Sequence, residues 1–252
     1  MGWPSRTLIN IYGQLLRKHD REAFTLSDVA AVSGSYGAAK VFVHRLRKAG
    51  WVYRFRSQSS PEARRAAFRL CEPDAGILYS AGIIRDFEKV KQQEYLRLIG
   101  IYAAEALKEI PAVKALVLYG SVARGTSKPD SDVDFLVVVK DDTEPMQVMD
   151  ILIDIEGQGR IRQEIEWLSQ HGVNTHTSVF PMRESKLDDH PYLLLDIVID
   201  GITIFDEGVF SSEAEKLRGQ LKEMGAKRKF LEDDDWFWDL MPNYRPGMVV
   251  EV

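Results

Sequence analysis

The sequence predicts an α+β protein built of two modules, and three observations carry that prediction. Residues 5–49 place apolar side chains at helical spacing, and at Gly50 the period drops from 3.6 to 2. Further on, two apolar runs, residues 115–119 and 135–139, flank a polar loop rich in Gly, Ser and Asp, as buried strands flank a turn. Charge divides the chain as well. Residues 1–75 hold 13 basic against 6 acidic side chains, a balance of +7, whereas the rest holds 20 against 32, a balance of −12. A chain of 252 residues has room for one large domain or two modest ones.

Composition excludes several classes. The chain is 45% hydrophobic and 28% charged, with no low-complexity tract. It has no run of about 18 apolar residues that could span a membrane. Its first residues lack a basic stretch followed by an apolar one, so no secretion signal is expected and the protein reads as cytoplasmic. Cys71 is the sole cysteine and cannot form an internal disulfide, which fits a reducing compartment. Between Leu70 and Glu72, at the end of an apolar strand, it reads as a small core residue.

The N-terminal module, residues 1–75, opens with a helix from Ser5 to His19, where Leu8, Ile11, Tyr12, Leu15 and Leu16 share a face. Thr25 and Asp28 have the form of a capping box, and a short helix follows that stops at Ser33-Gly34. Ser35 caps a third helix, Tyr36 to Ala49, ended by Gly50. Ala39, Phe42, Leu46 and Ala49 form its apolar stripe, with Tyr36, Lys40, His44 and Arg47 mostly opposite. Trp51, Tyr53 and Phe55 then alternate with Val52, Arg54 and Arg56, as in a strand with one buried face. A polar turn leads past Arg64 and Arg65 into a second strand, Ala67 to Cys71.

Three helices and a basic hairpin resemble the winged helix-turn-helix family over about 70 residues. The resemblance implies a third helix in the DNA major groove and a wing on the backbone. That would place Tyr36, Lys40, His44, Arg47, Arg64 and Arg65 against DNA, with phosphates answering the positive charge. Winged helices that read DNA are often symmetric dimers, so a homodimer is a further expectation. The same fold also serves as a protein-contact module.

Residues 77–109 contain no proline, and Ile84, Phe87, Val90, Tyr95, Leu98, Ile99, Tyr102 and Leu107 recur at helical intervals. One long helix, or two nearly continuous ones, is expected there until Pro111, with residues 76–97 linking the modules.

The apolar run Ala115 to Tyr119 ends at Gly120-Ser121, and Asp132-Val133-Asp134 opens the next strand. Strand residues two apart share a face, so both aspartates project together while Val133 turns into the core. Two carboxylates at a strand mouth are a hard-oxygen site of the kind that Mg²⁺ (or Mn²⁺) takes together with phosphates and water. Gly120 lets backbone approach a phosphate, and Ser121 offers an amide and a hydroxyl. A helix starting there would aim its positive end at the same phosphate, with Arg124 one turn on.

Gly-Ser, a spacer of ten residues and Asp-x-Asp at the head of an apolar strand resemble the DNA polymerase β-like nucleotidyltransferase superfamily. Gly120, Ser121, Ala123 and Gly125 match the loop of its small prokaryotic members. The resemblance implies a nucleotidyltransferase-fold domain, a mixed sheet with helices, over residues 98–209, followed by a C-terminal helix and aromatic tail over 210–252. It implies a nucleoside triphosphate, ATP first among candidates, bound as its magnesium complex. Asp132 and Asp134 would ligate the metal as the catalytic pair, and Gly120, Ser121, Arg124 and Gly125 would hold phosphates. An acceptor attacks the α-phosphorus and pyrophosphate leaves.

Active members of that superfamily usually add a third carboxylate from a later strand. The next expected strand, Val173 to Phe180, follows helices near 144–156 and 160–171 and contains no Asp or Glu. His176 lies in it, either as a base or as a structural residue. Glu164 and Glu166 read as a solvated helix face, and Asp196 and Asp200 fall in a leucine-rich helix. A strand from Gly201 to Phe205 and a helix from Ser212 to Gly225 close the domain. Trp236, Phe237 and Trp238 are expected to pack on the body, on a partner subunit or on a base.

Three functions stay open on these residues. One is a nucleotidyltransferase with an attached DNA-binding module. A second is a transcriptional regulator that senses a nucleotide without turning it over. A third is an antitoxin-like partner of another small protein.

Overall fold

A computed structural model of the chain describes residues 3–55, 67–231 and 235–242. Arg64 and Arg65 lie outside the described residues. Helix α1 (Arg6–His19) starts at Ser5, whose hydroxyl accepts from the Leu8 amide. Strand β1 (Phe24–Thr25) runs into α2 (Leu26–Ser33), where Thr25 and Asp28 close both halves of the capping box. Gly34, at φ +84°, turns the chain before α3 (Tyr36–Lys48), which Ser35 caps. Strands β2 (Val52–Phe55) and β3 (Ala67–Leu70) pair antiparallel, and β1 adds to β3. Leu15, Phe24, Val29, Leu46, Phe68 and Leu70 form the core of this module.

Strand β2 has two buried faces rather than one. Val52 packs into the N-terminal core, while Tyr53 and Phe55 join the core of the following domain, leaving Arg54 exposed. Strand β2 therefore packs against both modules, and its alternation fails for that reason.

The linking segment is broken rather than continuous. Helix α4 (Pro73–Ser80) ends before Gly82, at φ +74°, and Asp86 sits at φ +64°. Two 3₁₀ turns follow, Phe87–Lys89 and Gln93–Tyr95, before α5 (Leu96–Glu109). Ile84, Phe87 and Val90 are all buried, but their spacing of three is served by tight turns as well as by a helix.

The second domain is a four-stranded mixed sheet in the order β6-β5-β4-β7. Its strands are β4 (Val113–Tyr119), β5 (Val133–Val139), β6 (Thr177–Arg183) and β7 (Ile202–Asp206), and the β5–β6 pair is parallel. Between β4 and β5 lies the short helix α6 (Gly120–Arg124). Helices α7 (Pro145–Glu156) and α8 (Gly159–Gln170) pack with α5 on one face, over Leu118, Phe135 and Val137. Helices α9 (Tyr192–Asp200) and α10 (Val209–Met224) cover the other, over Val117, Leu136 and Val138. A hairpin of β8 (Lys227–Phe230) and β9 (Trp236–Asp239) ends the described chain. No helix among the described residues is long and apolar enough to cross a membrane.

Strand β6 begins four residues later than the apolar pattern suggests. Residues 173–176 are spent bridging the loop before β5: the Asn174 amide donates to the Pro129 carbonyl at 2.6 Å and the Thr175 hydroxyl to the Ser131 carbonyl at 2.8 Å.

A buried ionic network joins the modules. Arg69 of β3 and Glu164 of α8 are each 2% exposed, and the Arg69 NH2 group lies 2.8 Å from Glu164 Oε2. Arg97 of α5 meets the same carboxylate at 3.2 Å, and it reaches the Leu70 carbonyl and Glu72. The Arg69 guanidinium also stacks 3.5 Å over the Trp167 ring. Glu164 is thus a partnered core residue and not part of a solvated face. Glu166 keeps that reading, pairing at the surface with Arg162.

Candidate active site

The apolar residues of β4 and β5 bury both strands and carry their ends to one edge of the sheet. Register places Tyr119 opposite Asp134, and Asp134 opposite Ser178 on β6. Residues directly opposite share a face, so Tyr119, Asp134 and Ser178 form one row across three strands. Asp132 precedes it on the same alternation, while Val133 is fully buried on the far side.

Gly120 turns the chain out of β4 at φ +70°, a left-handed conformation that costs a side chain strain. A Cβ built there would meet the Asp134 carboxylate, 2.9 Å from its Cγ. Its absence leaves the carboxylate face open beside the Ser121 amide. Helix α6 is only five residues long, so this turn offers an anion its local amides rather than a full macrodipole. Gly125, at φ +77°, ends α6 and packs on Lys91, which donates to the Arg124 carbonyl at 3.1 Å.

Neither Asp132 nor Asp134 has an ion-pair partner among the described residues. Burial, with the neighbouring Asp132 charge, pushes the Asp134 carboxyl above the ordinary carboxylate range, while Ser178 and Arg124 act the other way. Burial and Asp134 likewise push the Tyr119 phenol up to about 12. A raised carboxyl favours the fold below the ordinary carboxylate range, and that contribution is lost as pH rises through the raised value. At neutral pH the ionised Asp134 is therefore a cost that a bound cation would remove. Asp134→Asn is expected to raise the melting temperature of metal-free protein by about 1–3 °C, at most about 1 kcal/mol after screening of this half-exposed group. Calorimetry in chelator checks it. A melting temperature lowered by as much would show that the ionised carboxylate supports the fold.

The donor set fits a hard divalent cation: two neighbouring carboxylates without an ion-pair partner among the described residues, with the Ser178 hydroxyl beside them. The third strand offers that hydroxyl where a third carboxylate was sought. His176 precedes β6, is 67% exposed, and turns to Glu156 at 3.3 Å. Asp196 and Asp200 are occupied elsewhere. Asp196 accepts from the indole N–H groups of Trp236 and Trp238, at 3.0 and 2.9 Å, and Arg228 bridges Asp196 and Asp200. Trp236 and Trp238 thus pack on the body while Phe237 is exposed, and Trp236 lies over the Arg124 guanidinium at 4.6 Å. The sequence reading missed this clasp, whose only signal was the alternation of Lys227-Arg228-Lys229 with the later tryptophans.

Asp196→Ala removes the acceptor shared by three donors. It is expected to open the β8–β9 hairpin and speed tryptic cleavage at Lys227, Arg228 or Lys229 by about tenfold, as loss of roughly 1.5 kcal/mol of local protection would. Unchanged cleavage would show that the clasp contributes nothing.

A second cluster lies away from this edge. Asp188, His190 and Glu213 bring ligand atoms within 4.8 Å of one another. Lys216 already holds the Glu213 carboxylate at 2.7 Å, so the cluster carries its own cation.

Residues 102–204 match the family model described as a nucleotidyltransferase domain. No curated protein matches the sequence. Among solved structures, the chain is similar to a toxin-antitoxin protein with AMP-PNP, at 15% identity and TM-score 0.34 over 49% of this chain and 86% of that one. It is also similar to the toxin-antitoxin MntA-HepT, at 13% identity and TM-score 0.28 over 48% and 85%. A putative nucleotidyltransferase from Sulfolobus solfataricus gives 15% identity and TM-score 0.26 over 44% and 79%. Likenesses this remote say nothing about what this chain binds.

Proposed function

We propose that the chain is a magnesium-dependent nucleotidyltransferase that moves a nucleoside monophosphate from a nucleoside triphosphate to an acceptor hydroxyl or phosphate. The observation that carries this reading is the open face at Gly120, where two carboxylates without an ion-pair partner among the described residues stand beside the amides of a glycine turn. The transferase unit spans residues 98–209, and the match of residues 102–204 to the nucleotidyltransferase-domain model supports it.

In this reading Asp132 and Asp134 would hold Mg²⁺, which would supply positive charge to neutralise the triphosphate. The amides and hydroxyl at Gly120 and Ser121 orient the β- and γ-phosphates, so that the α-phosphorus stands in line with the acceptor. The acceptor oxygen bonds to the α-phosphorus, the bond to the bridging oxygen breaks, and pyrophosphate leaves with the electron pair. An acceptor hydroxyl gives its proton to water. Arg124 meets a phosphate oxygen once it leaves the Trp236 ring, and Gly125 keeps the loop tight. Positioning and charge neutralisation do most of the work, and the row Tyr119–Asp134–Ser178 supplies no further carboxylate.

Thermal shift with each ribonucleoside triphosphate, with and without Mg²⁺, tests this on wild type and Asp132→Asn. A ligand at about 100 times its dissociation constant adds roughly 2.7 kcal/mol. The expected result is a magnesium-dependent shift that the variant loses. No shift with any nucleotide, on folded protein, overturns the reading.

A second activity is proposed for residues 1–75 as a winged-helix DNA-binding module. The exposed Tyr36 and Lys40 on α3 and the net charge of +7 support it. Salt-sensitive binding of a short duplex, weakened by Lys40→Gln, is its test; affinity indifferent to salt would remove it.

A further inference from the structure

Helix α3 does not present its whole basic face to open solvent. His44, Arg47 and Lys48, on its last turns, form one wall of a cavity of about 380 Å³. Glu88 and Gln93 of the segment between α4 and α5 form the opposite wall. The floor is aromatic: Tyr79 and Phe87 stack there, with centroids 5.0 Å apart.

Cations outnumber carboxylates in this cleft: Arg47 and Lys48 face a single carboxylate, Glu88. Among the described residues His44, Arg47 and Lys48 have no carboxylate partner, and Arg54 stands close enough to Arg47 to oppose its charge. The carboxylate across the cleft, Glu88, is held by the Tyr79 hydroxyl at 2.9 Å. A concave wall with two cations and an imidazole over an aromatic floor suits a small phosphorylated molecule. It does not suit a duplex, since a groove-reading helix must be convex and these turns of α3 cannot advance without the facing segment.

The facing segment has a second side. Residues 91–95 grip the loop of the carboxylate site: Lys91 on the Arg124 carbonyl, Gln92 on the Ser127 amide and carbonyl, both at 3.0 Å, and Tyr95 on the Lys128 carbonyl at 3.4 Å. One short stretch therefore touches the cleft on one side and the glycine-turn loop on the other.

We propose that the cleft between α3 and residues 87–96 binds a small phosphorylated ligand through His44, Arg47 and Lys48, and that its occupancy steadies the loop 120–128. Binding stands on the cleft alone; an effect on transfer would rest on the nucleotidyltransferase reading.

Inorganic pyrophosphate is the probe, titrated calorimetrically into the full chain in EDTA at constant ionic strength, so that no metal-dependent site contributes. Wild type and Asp132→Asn are expected to bind it equally. The double variant Arg47→Gln, Lys48→Gln should bind about tenfold more weakly or worse, as loss of charge-assisted contacts requires. Lys48→Glu, on the exposed rim, is the second variant should the double variant fold poorly, and it should also weaken binding. Hydrogen exchange of residues 120–128 in Asp132→Asn protein should slow on addition of pyrophosphate, and adding Arg47→Gln and Lys48→Gln should remove that slowing, which pyrophosphate bound directly at Gly120 and Ser121 would not lose. The proposal is overturned by no binding in wild type, by binding that Asp132→Asn abolishes, or by variants that lose duplex DNA while keeping pyrophosphate. Exchange at 120–128 that ignores pyrophosphate overturns the coupling.

Discussion

Asp132→Asn is expected to lower transfer from an α-labelled nucleoside triphosphate by about 10³-fold, roughly 4 kcal/mol of transition-state stabilisation. The substitution preserves shape and removes one of two charges on the open face beside Gly120. Asp132 is exposed, so the fold should hold, with a melting temperature within about 1–2 °C of wild type. Loss of activity with retained fold separates a chemical role from a structural one. Label transfer that survives within about tenfold would remove Asp132 from the metal site, since a ligating carboxylate contributes more than that.

Glu164→Ala is expected to destabilise the chain by about 3–5 kcal/mol, because it strands the buried Arg69 guanidinium and leaves Arg97 with Glu72 alone. At this chain length each kcal/mol lowers the melting temperature by about 2–4 °C, so a fall of roughly 6–20 °C should appear in calorimetry. Glu166→Ala, two residues on, breaks only the exposed pair with Arg162 and should shift melting by no more than about 1–2 °C. Equal effects of the two substitutions would mean that the Arg69–Glu164–Arg97 network does not hold the modules together.

The motif from Gly120 to Asp134 was legible because its parts are local. A glycine turn, two apolar strands and alternate aspartates lie within one stretch of chain, and register in the sheet sets Asp134 opposite Tyr119. The partners of Glu164 were not legible. Arg69 stands 95 residues earlier, and nothing near Glu164 distinguishes a buried carboxylate from a solvated one. The clasp on Asp196 hid for the same reason, its tryptophans lying 40 and 42 residues away. The segment after α4 misled differently: apolar residues three apart satisfy a 3₁₀ turn as readily as an α-helix, and Gly82 and Asp86 decide between them by taking positive φ. Alternation in β2 pointed to one buried face because Arg54 is exposed, whereas Val52 on the same side is buried in the N-terminal core, a contact that local pattern does not show.

The seat of Trp236 over Arg124 gives the protein an optical gauge of its own carboxylate edge. An indole beside a guanidinium emits according to the charge it sees, and Trp236 is partly open to water. A phosphate that drew Arg124 away would change that emission without any attached dye. Trp51 and Trp167 are buried and supply a steady background, while Trp3, 58% exposed, is replaced by Phe. With Trp238→Phe to remove the neighbouring signal, stopped-flow fluorescence would time the arrival of a nucleotide in the native chain.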